Sequence, residues 1–131
     1  MKIMVCYDGT EESKKALELS LSYGKAFQAQ MIATIALEGD PDRQLDDLER
    51  AEQILQYAKN FLVTSGLKCE TKMLPANNLS VGENIVRFAQ QERIDKIVLG
   101  VQKKSKVGKV FFGSTAQHVI LQAPCAVIAA K

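Results

Sequence analysis

The residues best suited to chemistry lie in one stretch, Gly100 to Thr115, which reads GVQKKSKVGKVFFGST. Lys103, Lys104, Lys106 and Lys109 fall within seven residues, and the stretch closes on Gly113, Ser114 and Thr115. Together these types suit an anion. Gly100 permits close approach of backbone. A helix opening at Gly113-Ser114-Thr115 would present free N–H groups and the positive end of its dipole. The hydroxyls of Ser114 and Thr115 can donate to phosphate oxygens, and the ammonium groups add charge.

The stretch matches neither of the two best-known phosphate loops. A Walker A motif needs GxxxxGK[ST], but Gly108-Lys109 is followed by Val110 and the residue five before Gly108 is Lys103. No GxGxxG follows any strand. Ser114 sits in no GxSxG elbow, and one histidine, His118, excludes a paired-histidine site. No general base is evident, so hydrolysis is expected to be slow and incidental, and the chain is not read as an enzyme. His118 faces away from Ala116, Val119 and Ile120 and is expected to be exposed. The lysines lack interleaved aromatics apart from Phe111 and Phe112, which are expected in the core, so no nucleic-acid partner is expected.

Positioning these residues requires a scaffold. The chain has 131 residues, 47% apolar and 24% charged, with a net charge of +2. That suits a single domain over residues 1–131. The three cysteines, Cys6, Cys69 and Cys125, form no CxxC pair and read as buried free thiols, which fits a reducing cytoplasm. The opening apolar run is too short for a signal peptide, and no run reaches membrane-spanning length.

Apolar runs at Lys2–Tyr7, Met31–Leu37, Lys96–Gly100 and Ala126–Ala130 predict buried strands, and the alternation in Leu67–Leu74 a more exposed one. Between them lie helical patterns. Thr10 caps the first, which carries Ala16, Leu17, Ser20, Leu21, Gly24 and Phe27. The second repeats Leu48, Ala51, Leu55, Ala58 and Leu62 and ends at Gly66. Ser80-Val81-Gly82-Glu83 is a capping box opening the third, and Pro124 stops the fourth. The order β-α-β-α-β-α-β-α-β predicts an open five-stranded parallel sheet with helices on both faces. Ligands on such sheets bind beyond the carboxyl ends of the strands, where Asp8 and Gly100 stand.

Three segments together carry a resemblance. KIMVCYDGTEESKKALELS at the start, QAPCAVIAAK at the end, and G-x-x-x-(nine residues)-G-S between them resemble the universal stress proteins, in the adenine-nucleotide-binding α-hydrolase-like group. The family motif is G-x-x-G-(nine residues)-G-[ST]. Gly100 matches its first glycine and Gly113-Ser114 its end, whereas Lys103 replaces the second glycine. The resemblance implies strand order 3-2-1-4-5 and a site for ATP, ADP or AMP. Cys6, Tyr7, Asp8, Ala36, Leu99 and Gly100 would hold the base and ribose. Lys103, Gly113, Ser114 and Thr115 would take the phosphates. Asp8 would lie near the ribose or an associated Mg2+, or would cap its own turn. The resemblance also implies a homodimer through Ala126–Ala130, and a stress or signalling role in which nucleotide orders the Gly100–Phe112 loop for an unknown protein partner.

Lys103 leaves two outcomes. It blocks the pocket, giving a dimeric interaction module that binds no nucleotide, or it swings outward and pairs with phosphates. The lysine-rich surroundings favour the second.

Overall fold

The computed structural model describes residues 1–39, 44–106, 109–111 and 113–131. Its main sheet is five-stranded and wholly parallel. In chain order the elements are β1 (Lys2–Cys6), α1 (Glu11–Phe27), β2 (Gln30–Ala36), α2 (Gln44–Thr64), β3 (Cys69–Leu74), α3 (Val81–Gln91) and β4 (Lys96–Gly100). A short pair follows, β5 (Lys104–Lys106) and β6 (Lys109–Phe111), then α4 (Ser114–Gln122) and β7 (Ala126–Ala130). The sheet order is β3-β2-β1-β4-β7, the expected 3-2-1-4-5 when its own strands are counted. Order reverses between β1 and its neighbours β2 and β4, which places the switch point at the ends of β1 and β4.

Strand alternation divides the core. Ile3, Val5, Met31, Ala33 and Val98 point to one face and pack with Leu17 of α1 and Leu55, Ala58 and Leu62 of α2. Met4, Ile32, Ile97 and Leu99 point to the other and pack with Ile85, Val86 and Ala89 of α3 and Val119 of α4. Fully burying one such side chain contributes about 1.5–3 kcal/mol. Two helices on each face are what right-handed crossovers of a doubly wound sheet require.

Helix starts follow their sequence signals. Thr10 Oγ1 accepts from the Ser13 N–H at 3.3 Å. At α3, the Glu83 N–H donates to Ser80 Oγ at 3.2 Å and the Ser80 N–H to Glu83 Oε1 at 3.3 Å, completing the capping box. The α2 helix ends in a Schellman motif: the Gly66 N–H donates to the Val63 carbonyl and the Leu67 N–H to that of Leu62. Leu67 is therefore committed to the helix end. This is why β3 begins at Cys69, two residues later than its alternation predicts.

Two expectations need correction. The Lys104–Phe111 part of the basic stretch carries an antiparallel ladder, with Lys104 opposite Phe111 and Lys106 opposite Lys109. Its lysine-dominated composition hid the pairing. The burial expected of Phe111 and Phe112 falls outside the described residues. His118 is half-buried rather than exposed: it packs on α3 at Gly82, where an added Cβ would come within 3.1 Å of the His118 Cβ. The interhelical seam of α3 and α4 covers more of α4 than its apolar positions alone imply.

Candidate functional site

The β1–α1 turn is held by its own polar side chains. Asp8 Oδ1 accepts from the Thr10 N–H at 3.0 Å and the Thr10 hydroxyl at 2.6 Å, an Asx turn. Gly9, at φ +85°, makes the left-handed bend. The Ser13 hydroxyl donates to the Thr10 carbonyl at 2.9 Å and accepts from the Asp8 N–H at 3.4 Å. Of the two roles weighed for Asp8, the turn-forming one is therefore in place, and the residue remains exposed.

On β2, Thr34 is 1% exposed. Its hydroxyl donates to the Val5 carbonyl at 3.3 Å and lies 3.9 Å from Cys6 Sγ. Burial pushes the Cys6 thiol up to about 12, against a smaller downward pull from Thr34. The thiol is thus neutral near pH 7 and no nucleophile. Burial, and then the neighbouring Tyr57, Asp8 and Glu11, raise Tyr7 as well. The rings of Tyr7 and Tyr57 stack with centroids 5.8 Å apart.

Beyond these strand ends lies a cleft of about 130 Å³. Cys6, Tyr7, Asp8, Ala36, Leu99, Gly100 and Thr115, all singled out from the sequence, line it together. Lys103, Gly113 and Ser114 do not line it. Lys103 and Ser114 are exposed, and Gly113 is half-buried at the start of α4. Lys103 therefore does not plug this cleft.

Thr10, Ser13, Thr34, Ile35, Val81 and Ile85 complete the lining and were not anticipated. Thr34 carried a signal, being a hydroxyl within an otherwise apolar run of β2. Val81 and Ile85 carried none, because only the packing of α3 shows which of its apolar residues reach the sheet end.

The glycine at position 100 permits a close approach of backbone, and the backbone that approaches is that of α1. A Cβ there would collide with the Glu12 carbonyl and lie 2.7 Å from the Ser13 nitrogen. Gly100 lets the first turn of α1 rest on β4. Gly113 instead sits at φ +87° and ψ 160°, with open space where a Cβ would go. It is the N-cap of α4 and provides no side-chain cap. Thr10 and Ser80 occupy N–H groups at the starts of α1 and α3, while among the described residues no side chain does so at α4.

The cleft is small. At about 130 Å³ it falls below the roughly 300–1,000 Å³ of a complete small-molecule pocket. Apolar Val81, Ile85, Ala36 and Leu99 suit a flat ring, and Thr115 of α4 lies on the same lining. Among the described residues, no group of three or more His, Cys, Asp and Glu could hold a metal ion. None of the described helices is long and apolar enough to cross a membrane.

A doubly wound sheet, a ring-sized cleft at its switch point and an uncapped helix start beside it define the class of α/β nucleotide-binding folds. Relatives narrow the class. The model of the universal stress protein family matches residues 76–131. A universal stress protein of Thermus aquaticus is 30% identical over 135 residues, spanning 96% of this chain and 95% of that protein. The chain belongs to the universal stress protein family. The structure of the universal stress protein from Archaeoglobus fulgidus aligns with a TM-score of 0.88 and 27% identity, covering 100% of this chain and 98% of that one. Another structure from A. fulgidus, a universal stress protein in complex with dAMP, aligns with a TM-score of 0.84 and 24% identity over 100% and 98% of the two chains.

Proposed function

We propose that this chain binds an adenine nucleotide, with the base in the cleft and the phosphates over the start of α4. One observation carries the reading: seven residues chosen from the sequence converge on a single ring-sized cleft beside the uncapped helix at Gly113. The dAMP complex of a structural relative supports the same class of ligand. The first α4 N–H groups and the Ser114 and Thr115 hydroxyls supply donors for phosphate, and Lys103 supplies charge. Asp8 lines the cleft and would serve a ribose or a phosphate-bound Mg2+, with its Oδ1 shared with the turn.

Binding without turnover is the expected activity. Asp8 commits Oδ1 to its turn and burial raises the Cys6 thiol, which supports that reading. The role proposed is stress response or signalling, with nucleotide occupancy biasing the 100–112 segment toward one arrangement that a partner protein reads. A homodimer through β7 accompanies it. This strand is a sheet edge in the single chain, with Ala126 and Ala129 exposed and Val127 and Ile128 half-buried. An apolar edge of this kind needs covering.

Calorimetric titration with ATP and Mg2+ tests the reading, with Ala36→Tyr as the control that fills the cleft. The expected result is saturable heat from the natural chain and none from the variant, both folded by circular dichroism. No heat from the natural chain at millimolar nucleotide would favour the interaction module instead.

A further inference from the structure

Two helices share in lining the cleft, α3 through Val81 and Ile85 and α4 through Thr115. Gly82 and His118 join these helices beside those residues. Gly82 follows Val81, and His118 lies three residues beyond Thr115, on the same side of α4. A Cβ added at Gly82 would come within 3.1 Å of His118 Cβ and 3.2 Å of its Cδ2. The ring could turn aside, but the Cβ is fixed to the α4 backbone. The two helices are held unequally. At the start of α3 the capping box is complete, and the buried Asn84 donates from Nδ2 to the Pro75 carbonyl at 2.6 Å. Among the described residues α4 has no side-chain cap and packs chiefly on α3. Crowding at this contact therefore displaces α4 rather than α3, and Thr115 with it.

We propose that Gly82 and His118 are positioning residues for the nucleotide site, an inference that rests on the nucleotide reading above. Their contact sets the spacing between Val81 and Ile85 on one helix and Thr115 on the other. Position 82 must lack a Cβ for α4 to lie this close, and His118 stops α4 from lying closer. A cleft of about 130 Å³ leaves little slack for a change in that spacing.

The test is a calorimetric titration with ATP and Mg2+ on the natural chain, Gly82→Ala, His118→Gly and the double variant, with a urea midpoint for each. Gly82→Ala is expected to weaken ATP about three- to tenfold. In the His118→Gly background the opposing Cβ is gone, and the same substitution is expected to change affinity by less than about twofold. Gly24→Ala controls for stability alone. Its Cβ would lie 2.7 Å from Leu67 Cδ1, in α1 on the other face of the sheet. It should lower the urea midpoint and leave ATP affinity as in the natural chain. His118→Gly alone keeps the inference open to refutation if Gly82→Ala does not fold: it is expected to weaken ATP about two- to fivefold, and natural affinity there counts against it. Equal loss from Gly82→Ala in both backgrounds, or no loss in either, overturns this inference and leaves nucleotide binding standing. No binding of ATP by the natural chain overturns both.

Discussion

The two ends of the parallel sheet differ in how their helices finish. At the amino end of the strands, Met1, Lys2, Lys25, Gln30, Gly66 and Lys68 help to line a groove of about 650 Å³, several times the volume of the cleft at the carboxyl end. Three lysines border it, yet the helices there end in closed turns. Residues Gln28, Gly66 and Arg93, all at positive φ, finish α1, α2 and α3. The following N–H groups return to the last carbonyls, Ala29 to Gly24, Leu67 to Leu62 and Ile94 to Ala89. Lys2 is also engaged, donating to the Glu92 carbonyl at 3.2 Å. The carboxyl end has less room but keeps, at Gly113, a helix start with no side-chain cap among the described residues. A parallel sheet sets all its helix starts at one end, so the polarity of the fold, rather than cavity size, tells which end suits an anion.

Breaking the carboxyl end should cost most at Gly100. Gly100→Ala forces a Cβ into the backbone of α1 and is expected to destabilise the fold by about 3 kcal/mol, read as a lower urea midpoint. Gly113→Ala meets no steric obstacle but places a side chain at φ +87°, costing about 1–3 kcal/mol by the same measurement. Two glycines of one motif are thus separated by cause: packing at the first, backbone conformation at the second.

Ser80→Ala comes next, at about 1 kcal/mol for the lost cap of α3. It also has a pH signature. The Ser80 hydroxyl and N–H hold the Glu83 carboxyl below its ordinary 4.5. A depressed carboxyl contributes stability that is present above pH 4.5 and lost as pH falls through the folded value. The acid limb of the stability profile should therefore be shallower in Ser80→Ala than in the natural chain. The smallest effect belongs to the amino end. Arg93→Gly relieves a non-glycine left-handed cap and is expected to raise stability by up to about 1 kcal/mol in thermal melts, leaving nucleotide binding unchanged.

Much of this is legible in the residues themselves. The strands at Lys2–Cys6, Lys96–Gly100 and Ala126–Ala130 announce themselves as apolar runs, and the Ser80 to Glu83 box is written in residue types. Asp8 and Gly100 follow from the sheet rule and Thr115 from its place at a helix opening, whereas Cys6, Tyr7, Ala36 and Leu99 come from the family resemblance. What could not be read depends on packing between distant elements. Gly100 closes the predicted fourth strand, but the helix that excludes its Cβ lies near residue 12, too far along the chain to be read. Val81 and Ile85 resembled any other core positions of α3. The pairing of Lys104–Lys106 with Lys109–Phe111 was concealed because three lysines among these six residues weaken any strand pattern.

Backbone amide chemical shifts recorded during titration with ATP test the central claim most directly, because both ends of the sheet are observed in one experiment. The account predicts shifts at Asp8, Ala36, Leu99, Gly100, Ser114 and Thr115, with Lys25, Gly66 and Lys68 unmoved. Shifts confined to Lys25, Gly66 and Lys68, or no shifts at saturating nucleotide, would contradict it.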